Sequence, residues 1–247
     1  MHSPVLLIIA HGSRDPRHAT CAFALASRIR SERPGLRVEV GFLDFNTPSV
    51  PALLERLAGE GVREVVTLPL LLTRAYHATV DIPAILRLAP SPLRIYPADV
   101  LGPSPLLART LERRLYEAGL SPADKGSTGL VLAAAGSTDV AAISAISDVA
   151  RGLQRAGWSQ VTPAFASSGL PRPDEAVRTL RLRGAERVAV APYLIAPGFF
   201  LDRIASYSRT ADCLSAPLGA APEMAQLAVT RYEEAVGSSV PRVSQAA

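Results

Sequence analysis

The chain has 247 residues, 48% hydrophobic, 19% charged and 5% aromatic, with a formal net charge of +4 and a pI near 9.4. This is globular composition, enough for one large or two small domains. It excludes a disulfide scaffold, because Cys21 and Cys213 lie near opposite ends of the chain, and a membrane helix, because the longest apolar stretch (188–201) is interrupted by Pro192 and Pro197-Gly198 and falls short of about 18 residues.

In chain order, apolar runs predict strands at 5–10, 37–42, 64–70 and 93–96. Between and after them, amphipathic stretches predict helices at 20–30, 50–57, 78–88 and 105–117. A segment rich in turn formers (121–129) predicts a linker centred on 123–128. The pattern then recurs, with strands at 130–134, 160–165, 187–191 and 212–214 and helices at 140–155, 174–182, 200–208 and 222–235. The last residues, 237–247, read as a flexible tail. The strand runs are apolar throughout rather than alternating, as in parallel strands covered on both faces. The fold class is therefore α/β, with a central parallel four-stranded sheet flanked by helices in each half.

The recurrence is an internal repeat. Residues 5–13 resemble 130–137, Gly61 to Val66 resembles Gly184 to Ala189, and Pro69 to Leu72 resembles Pro192 to Ile195. Leu101-Gly102 likewise matches Leu218-Gly219. The middle two pairs share an offset of about 123 residues, so the chain reads as two copies of one domain. These are an N-terminal domain at 1–122 and a C-terminal repeat domain at 129–236.

Lys125 is the only lysine, so the positive charge is almost all guanidinium, which suits bidentate contact with carboxylates and phosphates. No run of basic residues is present and aromatics are few, which argues against nucleic acid and for a small polyanionic substrate. The first residues lack a basic n-region and a full apolar h-region, so a cytoplasmic protein without a membrane anchor is expected.

Ligands of an open parallel sheet bind beyond the carboxyl ends of its strands. The first predicted strand leads into His11, Gly12, Ser13, Arg14 and Asp15. The second leads into Asp44 and Pro48, and the third into Arg74, His77 and Asp81. Two imidazoles, a carboxylate and two guanidiniums are thus expected on one edge, a donor set suited to Co²⁺, Fe²⁺, Ni²⁺ or Zn²⁺. Asp44 fits equally well as a turn or capping residue before Pro48. Ser13 reads as a helix cap or a ligand hydrogen-bonding group, since its surroundings lack the Gly-x-Ser-x-Gly nucleophile elbow. His2 and His18 lie away from the strand ends and are expected to be exposed. No nucleotide-binding motif is present.

Three motifs occur in order: Ala10-His11-Gly12-Ser13-Arg14-Asp15, then Gly41-Phe42-Leu43-Asp44 leading to Pro48-Ser49-Val50, then Pro69-Leu70-Leu71-Leu72 with His77 and Asp81-Ile82-Pro83. Together they resemble the sirohydrochlorin chelatase family, the ATP-independent class II cobalto- and ferrochelatases, in its two-domain fused form. The resemblance is dense over 5–120 and weaker over 129–236. It implies two similar α/β domains facing a cleft, with metal-handling histidines at His11 and His77. The family commonly has glutamate at the place of Asp44, so the carboxylate here is one methylene shorter. The second copy has Ala135 for His11, Ser167 near the place of Asp44, and Pro197-Gly198-Phe199 where His77 would fall.

The expected activity is insertion of a divalent metal (Co²⁺ or Fe²⁺, with Ni²⁺ also accommodated) into sirohydrochlorin, in cobalamin or sirohaem biosynthesis. His11 and His77 would bind metal, with Asp44 as a further proton acceptor. Ser13, Arg14 and Arg74 would hold the anionic tetrapyrrole, and Arg172, Arg203 or Tyr207 of the second copy would assist. The fused repeat predicts a monomer. The alternative on the same fold is a non-catalytic tetrapyrrole or metal carrier.

Overall fold

A computed structural model describes residues 3–74 and 81–239 of the chain. Two parallel four-stranded sheets dominate it, ordered β2-β1-β3-β4 and β6-β5-β7-β8. The strands of the first are β1 (Val5–Ala10), β2 (Val38–Phe42), β3 (Glu64–Pro69) and β4 (Arg94–Pro97). Those of the second are β5 (Thr128–Ala134), β6 (Gln160–Phe165), β7 (Arg187–Pro192) and β8 (Cys213–Leu214). The described helices are α1 (Pro16–Glu32), α2 (Val50–Gly59), α3 (Ile82–Leu86), α4 (Pro105–Glu117), α5 (Val140–Arg155), α6 (Pro173–Leu182), α7 (Phe199–Tyr207) and α8 (Pro222–Ser239).

The chain divides into two compact units. The first comprises Met1–Arg14, Ala26–Leu101 and Ala225–Ala247; the second comprises Asp15–Leu25 and Gly102–Met224. In the first unit β1 is central, with Ile8 in register with Val40 on one side and Leu68 on the other. Its side chains alternate between faces. Val5, Leu7 and Ile9 join Val50, Leu53, Leu54 and Leu57 of α2 in one core cluster, while Leu6 and Ile8 are fully buried on the opposite face. Burial on both sides is why this run carries no polar alternation. Each such leucine or isoleucine contributes about 1.5–3 kcal/mol. Helix α2 starts where Ser49 Oγ accepts a hydrogen bond from Ala52 N, an ordinary serine cap. Helix α8 also belongs here: Tyr232 Oη donates to Pro4 O at 2.9 Å and Arg231 Nε donates to Val100 O at 2.9 Å.

The second unit repeats this sheet around β5, with Leu132 in register with Pro163 and Ala191. Val131, Ala133, Ala176, Val177, Leu180, Val188 and Val190 form its core with Ile204 of α7. Helix α4 is part of this unit. Trp158 Nε1 donates to Glu112 Oε1 at 3.1 Å, Arg114 Nη2 donates to Leu218 O at 2.9 Å, and Arg113 grips the carboxylate of Glu223.

The compact units therefore partition the chain differently from repeats at 1–122 and 129–236, because α4 and the first part of α1 fall in the unit built on the second sheet, and α8 from Ala225 onward falls in the unit built on the first. The linker is not wholly irregular. Pro122–Gly126 forms a short 3-10 turn, closed by Ser121 N and Oγ donating to Asp124 Oδ2 at 2.7 Å. Helix α1 begins at Pro16, four residues before the predicted start, because Asp15 Oδ1 accepts from Arg17 N and proline suits the first helical position. His18 consequently lies in α1 and is half-buried rather than exposed. The expected tail is helical as far as Ser239, and 240–247, like His2 and the 78–80 start of the predicted third helix, lie outside the described residues.

Candidate metal and tetrapyrrole site

Beyond the carboxyl end of β1, the backbone ladder with β2 continues for two more bonds. Leu43 N donates to Ala10 O at 3.0 Å and Asp44 N donates to His11 O at 2.9 Å. Ser13 N then donates to Asn46 Oδ1 at 2.8 Å. Gly12 makes this approach possible. Its φ is +93°, and a Cβ there would lie 1.9 Å from Asp44 O, so no side chain fits. The two loops are thereby fastened together, and His11, Ser13, Arg14 and Asp44 come to one place.

His11 is half-buried. Its ring stacks on that of Phe45, with centroids 6.4 Å apart and planes 17° from parallel, and its Nδ1 lies 3.3 Å from Gly12 O. The Arg14 guanidinium lies 5.5 Å from the centre of the same phenyl ring. Phe45 is 53% exposed and has φ +60°, a left-handed conformation that costs a non-glycine residue about 1–2 kcal/mol. Asp44 is exposed, and its Oδ1 accepts from Phe45 N at 2.8 Å, as a turn-forming aspartate does. Phe45 and Asn46 belong to the loop after the second predicted strand, but the sequence attaches no role to either. The available signal was positional: both immediately follow Asp44 in the loop that touches His11.

Arg74 lies beyond β3 and is engaged by a partner that the motifs did not indicate. Its Nε donates to Asp99 Oδ1 at 2.9 Å and its Nη2 pairs with Oδ2. Asp99 also accepts from Val100 N at 2.7 Å. The Arg74 guanidinium holds the Asp99 carboxyl below the usual range. His77 lies outside the described residues. Among the described residues no three His, Cys, Asp or Glu side chains are grouped to hold a metal.

The second copy reproduces the backbone without these side chains. Ala166 N donates to Ala134 O and Ser167 N to Ala135 O, each at 2.9 Å. Gly136 has φ +109°, with Ser168 O only 2.4 Å from where its Cβ would stand. Ala135 thus occupies the position of His11, Ser167 that of Asp44 and Ser168 that of Phe45. Instead, this unit gathers guanidiniums around an aromatic ring: Arg172 and Arg203 each lie 5.8 Å from the Tyr207 ring centre.

The CbiX family model matches residues 5–118 and again 129–235. The chain is 27% identical over 207 residues to the sirohydrochlorin cobaltochelatase of Priestia megaterium, covering 81% of this chain and 66% of that protein. It is 26% identical over 205 residues to the sirohydrochlorin ferrochelatase of the same organism, covering 81% and 76%. The cobaltochelatase of Methanococcoides burtonii is 34% identical over 85 residues, 34% of this chain and 65% of that protein. The two cobaltochelatases are thus matched over less than two thirds of their own length. In structure, the chain is similar to SirB from Bacillus subtilis with Fe³⁺, with TM-score 0.82, 23% identity and coverage of 96% and 97%. It is also similar to SirB from Bacillus subtilis subspecies spizizenii in complex with cobalt, with TM-score 0.77, 21% identity and the same coverage. These likenesses establish the chelatase fold. With two matches in tandem spanning both sheets and most of its length, the chain belongs to the CbiX family.

Proposed function

We propose that this chain inserts Co²⁺ or Fe²⁺ into sirohydrochlorin without nucleotide hydrolysis, releasing two pyrrole protons as the metal chelate forms. The observation that carries this reading is the placement of His11 at the carboxyl end of β1, bonded through its carbonyl to Asp44 N. The same bond in the other copy joins Ala135 and Ser167. Scaffold and chemistry are therefore separable within one chain, and the chemistry sits in the first copy.

In this reading His11 and His77 supply neutral imidazole nitrogens that replace water on the incoming ion. They leave coordination positions open for pyrrole nitrogens. In the tautomer with its proton on Nδ1, which lies 3.3 Å from Gly12 O, Nε2 carries the lone pair that faces the metal. The exposed carboxylate of Asp44 accepts a pyrrole proton directly or through water. Ser13, Arg14 and Arg74 hold the anionic macrocycle, and a substrate carboxylate must compete with Asp99 for Arg74. The limits 1–122 and 129–236 as those of the two sequence copies, action as a monomer in the cytoplasm, and the absence of nucleic-acid or membrane partners belong to the same proposal. Ni²⁺ is a third acceptable ion on ligand chemistry alone.

The test is an anaerobic mixture of the protein, excess sirohydrochlorin and Co²⁺, followed by visible absorbance. Many turnovers per chain are expected. A spectral change that stops at one equivalent would instead identify a carrier, and no change at all would end the metal-insertion reading.

A further inference from the structure

Phe45 combines three features that packing alone does not account for. It is a bulky side chain in the left-handed region, the only non-glycine residue with positive φ among the described residues. Its ring is half in solvent, so the conformation is not compensated by full burial. Among the described residues, the imidazole of His11 stacks on the ring and the guanidinium of Arg14 lies over it. Strain of this kind persists where the surrounding structure over-determines it, and it concentrates at functional positions.

The two copies provide an internal comparison. Asp44, Phe45 and Asn46 correspond to Ser167, Ser168 and Gly169, as the paired bonds Phe42 N to Pro48 O and Phe165 N to Pro171 O place them. The turn closes in both copies, so it does not require an aromatic ring. In the second copy Gly169 takes the positive φ (+110°) and Ser168 does not. The aromatic residue and its unfavourable backbone occur in the copy that has the histidine.

We propose that Phe45 is a positioning residue for metal capture. Its ring fixes the plane of the His11 imidazole, so that one nitrogen is held toward the incoming ion, and it aligns Arg14 beside that imidazole. This rests on the assignment of His11 as a metal ligand. Near-parallel rings with centroids 6.4 Å apart lie within the range of offset stacking. A stacked ring loses a torsional freedom that an unbraced imidazole would have to give up on binding the ion.

The experiment is titration with Co²⁺ alone, in the absence of tetrapyrrole, read by the visible bands of imidazole-bound Co²⁺ and by isothermal calorimetry. It uses the intact chain and its Phe45→Gly, Phe45→Trp and His11→Ala variants. Phe45→Gly removes the ring and relieves the positive φ, so its melting temperature should equal or exceed that of the parent while Co²⁺ affinity falls about threefold to tenfold. Phe45→Trp should restore affinity to within about twofold, because an aromatic face is again present. A structural role would show the opposite pattern, with lowered melting temperature and unchanged affinity. If His11→Ala weakens Co²⁺ binding and Phe45→Gly does not, the role of Phe45 is refuted while the metal site stands. If His11→Ala leaves Co²⁺ binding unchanged, the ligand assignment fails and the proposal fails with it.

Discussion

His11 and His18 are both half-buried histidines of the first copy, yet their surroundings differ. His11 closes a strand and meets a carboxylate-bearing loop, whereas His18 lies in the first turns of α1. His11→Ala should therefore abolish most metal insertion without lowering the melting temperature by more than a few degrees, and His18→Ala should leave turnover unchanged. Retained turnover in His11→Ala at saturating metal would remove it from the site. Asp99 provides a pH signature. Its carboxyl is held below its ordinary value of 3.8, first by hydrogen bonding from Arg74. A depressed carboxyl pKa contributes stability above the ordinary value and loses it as pH falls through the lower folded value. The melting temperature gap between the parent chain and Asp99→Asn should thus be constant from pH 7 to about 5 and shrink below about pH 4. The effect is small because both partners are largely exposed. A gap that widens on acidification would contradict this sign.

At the level of elements, each sheet depends on a strand-to-loop junction where one glycine lets another loop's carbonyl approach. Gly12 and Gly136 both have positive φ, and an added Cβ would meet Asp44 O at 1.9 Å or Ser168 O at 2.4 Å. Gly12→Ala and Gly136→Ala should each destabilise by more than about 1 kcal/mol, measured by urea unfolding. Their effects on function should diverge, because only Gly12 lies beside the proposed ligand His11. Gly12→Ala is expected to lose Co²⁺ affinity, and Gly136→Ala to retain it under conditions where both are folded. Equal loss in both would mean that the second junction also handles metal.

Across the whole molecule, the compact units and the sequence copies are different objects. Helix α4 belongs to the first copy but packs among residues of the second unit, where Leu107, Leu111 and Leu115 are fully buried. Helix α8 belongs to the second copy but packs in the first unit. A fragment of residues 1–122 would expose the apolar face of α4 and lack α8. It should not melt cooperatively as a monomer, and the same holds for 123–247. Co-expressed, the two should recover the circular dichroism and melting transition of the intact chain, because together they supply every helix of both units. Cooperative melting of either fragment alone at the intact chain's temperature would show that the exchanged helices are dispensable.

The sequence alone determined most elements and the duplication. Apolar runs such as Val5–Ala10 and amphipathic stretches such as Pro105–Glu117 are local patterns, and β1, α4, α5 and β6 have the predicted limits. His11, Ser13, Arg14 and Asp44 were legible because a parallel sheet places strand-end loops on one edge. The tertiary structure decided what local patterns do not encode. Amphipathicity states that α4 must cover an apolar surface, but not which sheet provides it, so the exchange of α4 and α8 could not be read from periodicity. The partner of Arg74 was hidden for a similar reason, since Asp99 follows a different strand and meets it only through the β3–β4 pairing. The surroundings of Phe45 were equally hidden, because its stacking on His11 depends on a backbone angle and on a ring contributed by a loop more than thirty residues away.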